Sequence, residues 1–195
     1  MRELDALREV LRERVCAGPH ADAAELAAGL HARGGDALAA VLFFGSRKTR
    51  AGPDAWSAYD FFVLVDAYRP FFASLRAHGA LQRPAWLVAA LNVVLPPNQI
   101  GVTSTLADGR AVRAKCAVVS TRAFARETSR QRRDHFFLGR LCQQTEVAWS
   151  ADGARREELL DALARTHALT YVWVRPWLPA RFDVAEYCRT MLRVS

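Results

Sequence analysis

Residues 39–46, A-A-V-L-F-F-G-S, and residues 59–66, Y-D-F-F-V-L-V-D, decide how this 195-residue chain is read. Ala39 to Phe44 is a continuous apolar run and Tyr59 to Val65 is rich in aromatic and branched side chains, so both predict buried strands. Between them lies a polar, turn-rich loop containing Arg47, Lys48, Arg50, Gly52, Pro53 and Asp54. One residue does not belong in a buried strand: Asp60. Burying a carboxylate without a metal or a partner costs several kcal/mol, so its presence there marks a site.

The chemistry that uses such a pair of strands is nucleotidyl transfer. It needs donors that hold a triphosphate and carboxylates that hold a divalent metal at the α-phosphate. Gly45 lets the backbone approach a phosphate, Ser46 offers a hydroxyl, and Arg47 and Lys48 add positive charge, which makes these four the candidate nucleotide-binding residues. Asp60 is the candidate catalytic and metal-binding residue for such a divalent ion. A second carboxylate two residues along the strand would face the same metal, but position 62 is Phe. Asp66 has the right parity yet lies roughly 20 Å away along an extended strand, which leaves Asp54, Asp108 and Glu146 as unranked candidates. The competing reading is plain: Gly45-Ser46 a strand-ending turn and Asp60 a surface acid.

Working outward, Leu4, Leu7, Leu11 and Val15 recur at helical spacing, and Ala23 to Ala32 is a second helical run ended by Gly34-Gly35. Tyr68 to His78 and Pro84 to Val94 predict helices that cover a sheet. Gln99 to Leu106 and Arg110 to Val119 predict a hairpin turning at Ala107-Asp108-Gly109. Ser120 or Thr121 caps a basic helix running to about Arg130, and a further helix is expected near Asp134 to Cys142. From Ala154 the pattern is helical, broken by Pro176 and Pro179, and Asp183 can cap a last helix. The expected class is α/β (α+β), a mixed sheet flanked by helices. Residues 1–150 form the expected first domain and residues 151–195 the start of a helical second one.

The net charge is +7, and residues 110–140 account for all of it, with nine bases against two acids. A concentrated patch of this kind attracts phosphates, acidic lipids or nucleic acid. Within it Arg122, Arg126 and Arg130 fall at i, i+4 and i+8, so on one helix they present a stripe to acidic headgroups or phosphate, or simply a solvated face. Lys115, on a strand beside the site, either contacts nucleotide phosphates or guards a hairpin edge. Trp86, Leu87 and Leu91 are read first as core, with lipid contact the alternative. Phe136 to Leu138 and the Trp173 to Trp177 cluster are also read as core. Four scattered cysteines without C-x-x-C spacing predict free thiols, and five unpaired histidines argue against zinc. No stretch approaches the roughly 20 apolar residues that span a bilayer. The N-terminus mixes acids with bases, which fits neither a secretory nor a transit leader, so the chain is expected to stay where it is made.

The segment Arg113 to Trp149, with Lys115, then Val119-Ser120-Thr121, then Gly139-Arg140-Leu141, resembles the mitochondrial-type phosphatidate cytidylyltransferases, the mitochondrial translocator assembly and maintenance family. That family places a lysine before a Val/Ile-Ser-Thr strand end, then a helix, then a Gly-Arg-Leu stretch leading to a strand. The likeness extends to F-F-G-S at 43–46, to the strand at 59–66 and to L-P-A-R-F-D at 178–183, covering roughly residues 41–195. It implies a nucleotidyltransferase fold with a truncated helical second domain. It also implies Mg2+-dependent conversion of CTP and phosphatidate to CDP-diacylglycerol and pyrophosphate. The expected place is a membrane surface, peripherally bound: the inner face of a bacterial membrane, or the matrix side of a mitochondrial one. Lys115 takes a catalytic role under this resemblance and Arg140 joins the arginines that meet acidic lipid or phosphate; no nucleic-acid partner is expected. Two other readings stay open: transfer of a nucleotide to a protein, RNA or small molecule, and an inactive anion-binding member of the fold.

Overall fold

A computed structural model describes residues 2–45, 47, 57–95, 97–133 and 135–194. Among them are five strands: β1 (Leu38–Phe44), β2 (Tyr59–Val65), β3 (Asn98–Thr105), β4 (Ala111–Ser120) and β5 (Glu146–Ser150). They form one mixed sheet in the order β3-β4-β2-β1-β5. β1 runs antiparallel to β2 and β5, β3 antiparallel to β4, and β2 parallel to β4. The architecture is therefore α+β, a mixed sheet flanked by helices, as the order of the sequence signals predicts.

β1 is buried at all seven positions and β2 at all but Asp60, which is why both read as unbroken apolar runs rather than as alternating ones. One layer of the core gathers Val41, Phe43, Phe61, Val63, Cys116 and Val118 beneath α2 (Ala21–Gly34), α3 (Tyr68–Ala77) and α4 (Ala85–Val94). The other gathers Leu42, Phe44, Phe62, Leu64, Ala117 and Val119 beneath α1 (Arg2–Val15), α5 (Thr121–Glu127), α6 (Phe136–Leu141) and α7 (Gly153–Val174). α7 opens the region where the second domain is expected, and it buries Leu159, Leu160 and Leu163 in that second layer. A last helix, α8 (Val184–Val194), starts after Asp183, whose Oδ1 accepts from the Glu186 amide at 2.7 Å as the sequence predicts. No helix among the described residues is long and apolar enough to cross a membrane.

Three expectations are corrected. The basic helix begins under a Ser120 cap, with the hydroxyl accepting from the Ala123 amide at 3.1 Å, but it stops at Glu127 rather than near Arg130. Thr128 Oγ1 and Ser129 Oγ turn back onto the Phe124 and Arg126 carbonyls, closing the helix end. Trp177 is 61% exposed, so it is not core. Trp86, Leu87 and Leu91 are also exposed, although their helix does cover the sheet.

The α2–α3 contact is set by a glycine. A Cβ at Gly34 would stand 2.4 Å from Cε2 of the fully buried Phe71 ring. Gly34→Ala is expected to lower stability by about 1–3 kcal/mol, overpacking outweighing the better helix propensity of alanine. Urea unfolding should show a lower midpoint with an unchanged m-value.

Candidate active site

The site is assembled where β1 ends. Its last residue, Phe44, lies opposite Asp60, and β4 places Lys115 beside Asp60 on the other flank. Gly45 follows with φ +92°, a conformation that L side chains rarely adopt, and this turns the chain over the Asp60 carboxylate. The approach is so close that a Cβ at Gly45 would lie 2.5 Å from Asp60 Oδ2. Across the groove, α6 leans in with Phe136 and Arg140, closing a pocket of about 280 Å3 whose lining includes Asp60, Gln99, Lys115, Phe136 and Arg140.

Burial pushes the Asp60 carboxyl above its ordinary value, and the charges of Lys115 and Arg140 pull it partly back. Among the described residues those two charges act on it, and none hydrogen-bonds to it. A half-buried carboxylate held by flanking cations is suited to share its charge with a divalent ion and a phosphate. Magnesium is commonly bound by one or two carboxylates plus substrate phosphates, and Asp60 fits the first of those places.

The structure thus brings together Gly45, Asp60, Lys115 and Arg140, which are spread over 96 residues of sequence. Of the other candidates, those that are described lie elsewhere. Ser46, Lys48 and Asp54 lie outside the described residues. Arg47 donates from Nε to the Ser57 carbonyl at 2.6 Å, and its guanidinium sits 4.4 Å above the Tyr59 ring. Tyr59 belongs to the opposite layer of the sheet, so this contact keeps Arg47 away from the pocket. Arg122, Arg126 and Arg130 do converge, but on a shallow groove that shares no lining residue with the Asp60 pocket. Within it Arg126 pairs with Glu127 at 2.6 Å.

Three carboxylates stand away from Asp60. Asp66 sits past the far end of β2, paired with Arg155 at 2.8 Å. Asp108 stays in the hairpin turn, held by Arg110 Nε at 2.6 Å. Glu146 is opposite Phe43 and so faces the other layer, where it accepts from the His20 amide at 2.7 Å. No group of three or more His, Cys, Asp or Glu side chains among the described residues is placed to hold a metal.

No protein-family model matches the chain, and no curated protein matches it.

The pocket therefore stands on its geometry. Two of its walls, Gln99 and Phe136, escape a residue-by-residue reading because one looks like a strand start and the other like core. Gln99 was within reach: closing the hairpin at Ala107-Asp108-Gly109 sets Gln99 opposite Ala117 and Gly101 opposite Lys115, hence on the side of Asp60. A second hollow, about 180 Å3 between α5 and α7, has its Arg155 already paired with Asp66 and Glu158. Asp66→Ala is accordingly expected to leave any nucleotidyl transfer unchanged and to cost no more than about 1 kcal/mol, the range of an exposed ion pair. Turnover and thermal melts of that variant beside Asp60→Asn test the distinction.

Proposed function

We propose that the protein is a magnesium-dependent nucleotidyltransferase that joins CTP to phosphatidate, giving CDP-diacylglycerol and pyrophosphate at a membrane surface. The observation that supports it is the Gly45 turn packed on the Asp60 carboxylate, with Lys115 and Arg140 facing the same small pocket. The choice of acceptor rests on the resemblance carried by Lys115, Val119-Ser120-Thr121 and Gly139-Arg140-Leu141.

In this reading the triphosphate lies against the Gly45 backbone, which carries no side chain of its own. Asp60 holds the metal, which when bound neutralises the α-phosphate and the departing pyrophosphate. Lys115 and Arg140 supply the remaining positive charge from two sides, and that charge matters most as it builds up on the leaving group. An oxygen of the phosphatidate phosphate attacks the α-phosphorus in line, the new P–O bond forming as the bond to the β-phosphate oxygen breaks. A phosphate monoester has lost most of its second proton at neutral pH, so the attack requires neither a general base nor a covalent enzyme intermediate.

The decisive assay incubates the protein with labelled CTP, Mg2+ and phosphatidate vesicles. Label should move into the organic phase; label that remains aqueous while a known cytidylyltransferase works under the same conditions rejects the assignment. A second reading, an inactive anion-binding member of the fold, is favoured by Asp60 being the one carboxylate among the described residues that line the pocket. It predicts CTP binding that is indifferent to Mg2+ and no turnover with any acceptor.

A further inference from the structure

The exposed side of α4 is built the wrong way round for a helix bathed in water. Its one polar side chain, Asn92, points inward and is fully buried, where Nδ2 donates to the Val118 carbonyl at 2.7 Å. Its outward side and the residue after it carry Trp86 (66% exposed), Val93 (66%), Val94 (68%) and Leu95 (69%), flanked by the less exposed Leu87 and Leu91. Surface helices ordinarily turn polar residues outward, and a contiguous apolar patch of this kind marks a surface that something covers.

The surrounding charge says what covers it. Between Asp66 and Asp108 the chain contains no acid, while Arg69, Arg76 and Arg83 are all exposed. Arg83 immediately precedes α4, and Arg69 and Arg76 lie on α3, which packs beside it. An apolar strip with tryptophan at one end and exposed arginines beside it, in a stretch of chain without acids, matches the boundary of an anionic bilayer, where side chains enter the acyl region and arginines meet lipid phosphates.

We propose that α4 docks the protein on an anionic membrane surface, with Trp86, Val93, Val94 and Leu95 entering the headgroup boundary. Leu95 lies four residues before Gln99, the β3 residue that lines the Asp60 pocket on the other layer of the sheet. The inference takes its partner from the lipid acceptor of the proposed function. Vesicle binding is read without CTP, however, so failure of docking and failure of transfer are separate results. It also assigns membrane contact to the α4 layer rather than to the Arg122, Arg126 and Arg130 groove, which lies on the opposite layer.

The test is flotation of the whole chain with phosphatidylglycerol-containing and pure phosphatidylcholine vesicles. It compares the native protein, a Trp86→Ser/Val93→Ser/Val94→Ser variant and an Arg122→Gln/Arg126→Gln/Arg130→Gln variant. Because the substituted α4 side chains are exposed, circular dichroism should show an unchanged fold. The native protein should float with the anionic vesicles, and the α4 variant should partition at least about tenfold more weakly. Fluorescence quenching by brominated lipid should diminish in Trp86→Phe. The proposal is overturned if the native protein does not bind, if the α4 variant binds like the native one, or if sedimentation shows a dimer that the α4 variant dissociates without any lipid binding. The last result would assign the face to a second copy of the chain.

Discussion

Asp60→Asn is expected to abolish cytidylyl transfer while leaving the protein at least as stable as before. The substitution keeps the shape of the side chain in its pocket but removes the one described charge able to hold a divalent cation there. Losing the metal's stabilisation of the transition state is worth several kcal/mol, so turnover should fall by about a thousandfold or more. Stability moves the other way because burial holds the Asp60 carboxyl above its ordinary value of 3.8. The native state then binds a proton more readily than the unfolded chain, so the carboxylate's contribution to stability falls as pH rises from the ordinary value through the raised one. Above that window the full cost of the buried charge is present and asparagine avoids it; below it the difference closes. Thermal melts of both proteins from acid to neutral pH should therefore show Asp60→Asn gaining on the native protein as pH rises. A variant that loses activity together with its fold would refute the assignment of Asp60 as a metal ligand in an otherwise sound scaffold.

Gly45→Ala should be nearly as damaging to turnover, for a different reason. Alanine at φ +92° is strained by about 1–2 kcal/mol wherever it sits. Here its methyl group would also stand 2.5 Å from Asp60 Oδ2, and either the carboxylate or the turn must move. Displacing a reacting group by about 1 Å can cost on the order of a hundredfold in rate, and stability should fall by about 1–3 kcal/mol. The two contributions separate in a double-mutant cycle. With Asp60→Ala in the background, the carboxylate is gone and the backbone strain and a 3.2 Å approach to the remaining Cβ are left, so adding Gly45→Ala should cost less stability than it does in the native protein. Strict additivity would mean that the glycine is there only for its turn.

Much of this architecture was legible. β1 and β2 are central strands buried on both sides, so their apolar runs left little choice, and the Asp-Gly turn announced the β3–β4 hairpin. β5 was harder: Glu146–Ser150 is short and opens on a buried glutamate, and only the resemblance pointed to a strand there. The site was half legible. An acid in an apolar strand singled out Asp60, but which cations reach it depends on how β4 pairs with β2 and how α6 folds back, neither of which local spacing contains. Hence Lys115 and Arg140 arrive together, while Arg47, next in sequence to the glycine-serine turn, swings to Tyr59 on the other layer. The exposed apolar side of α4 was misjudged as core because hydrophobicity alone does not say which way a helix faces.

The bare floor of the β3–β4 hairpin bears on the size of the molecule this cleft can accept. Beyond the pocket, Gly101, Thr103 and Arg113 share the Asp60 side of the sheet with Lys115, and all three are exposed with no described helix laid over them. Among the described residues none on that side sets an end wall, and at Gly101 a Cβ would meet only open space. A long acceptor can run off the edge of the sheet without displacing a side chain, so discrimination among acceptors of different length has to reside in how their reactive head is gripped, and bulky tails should be tolerated alike.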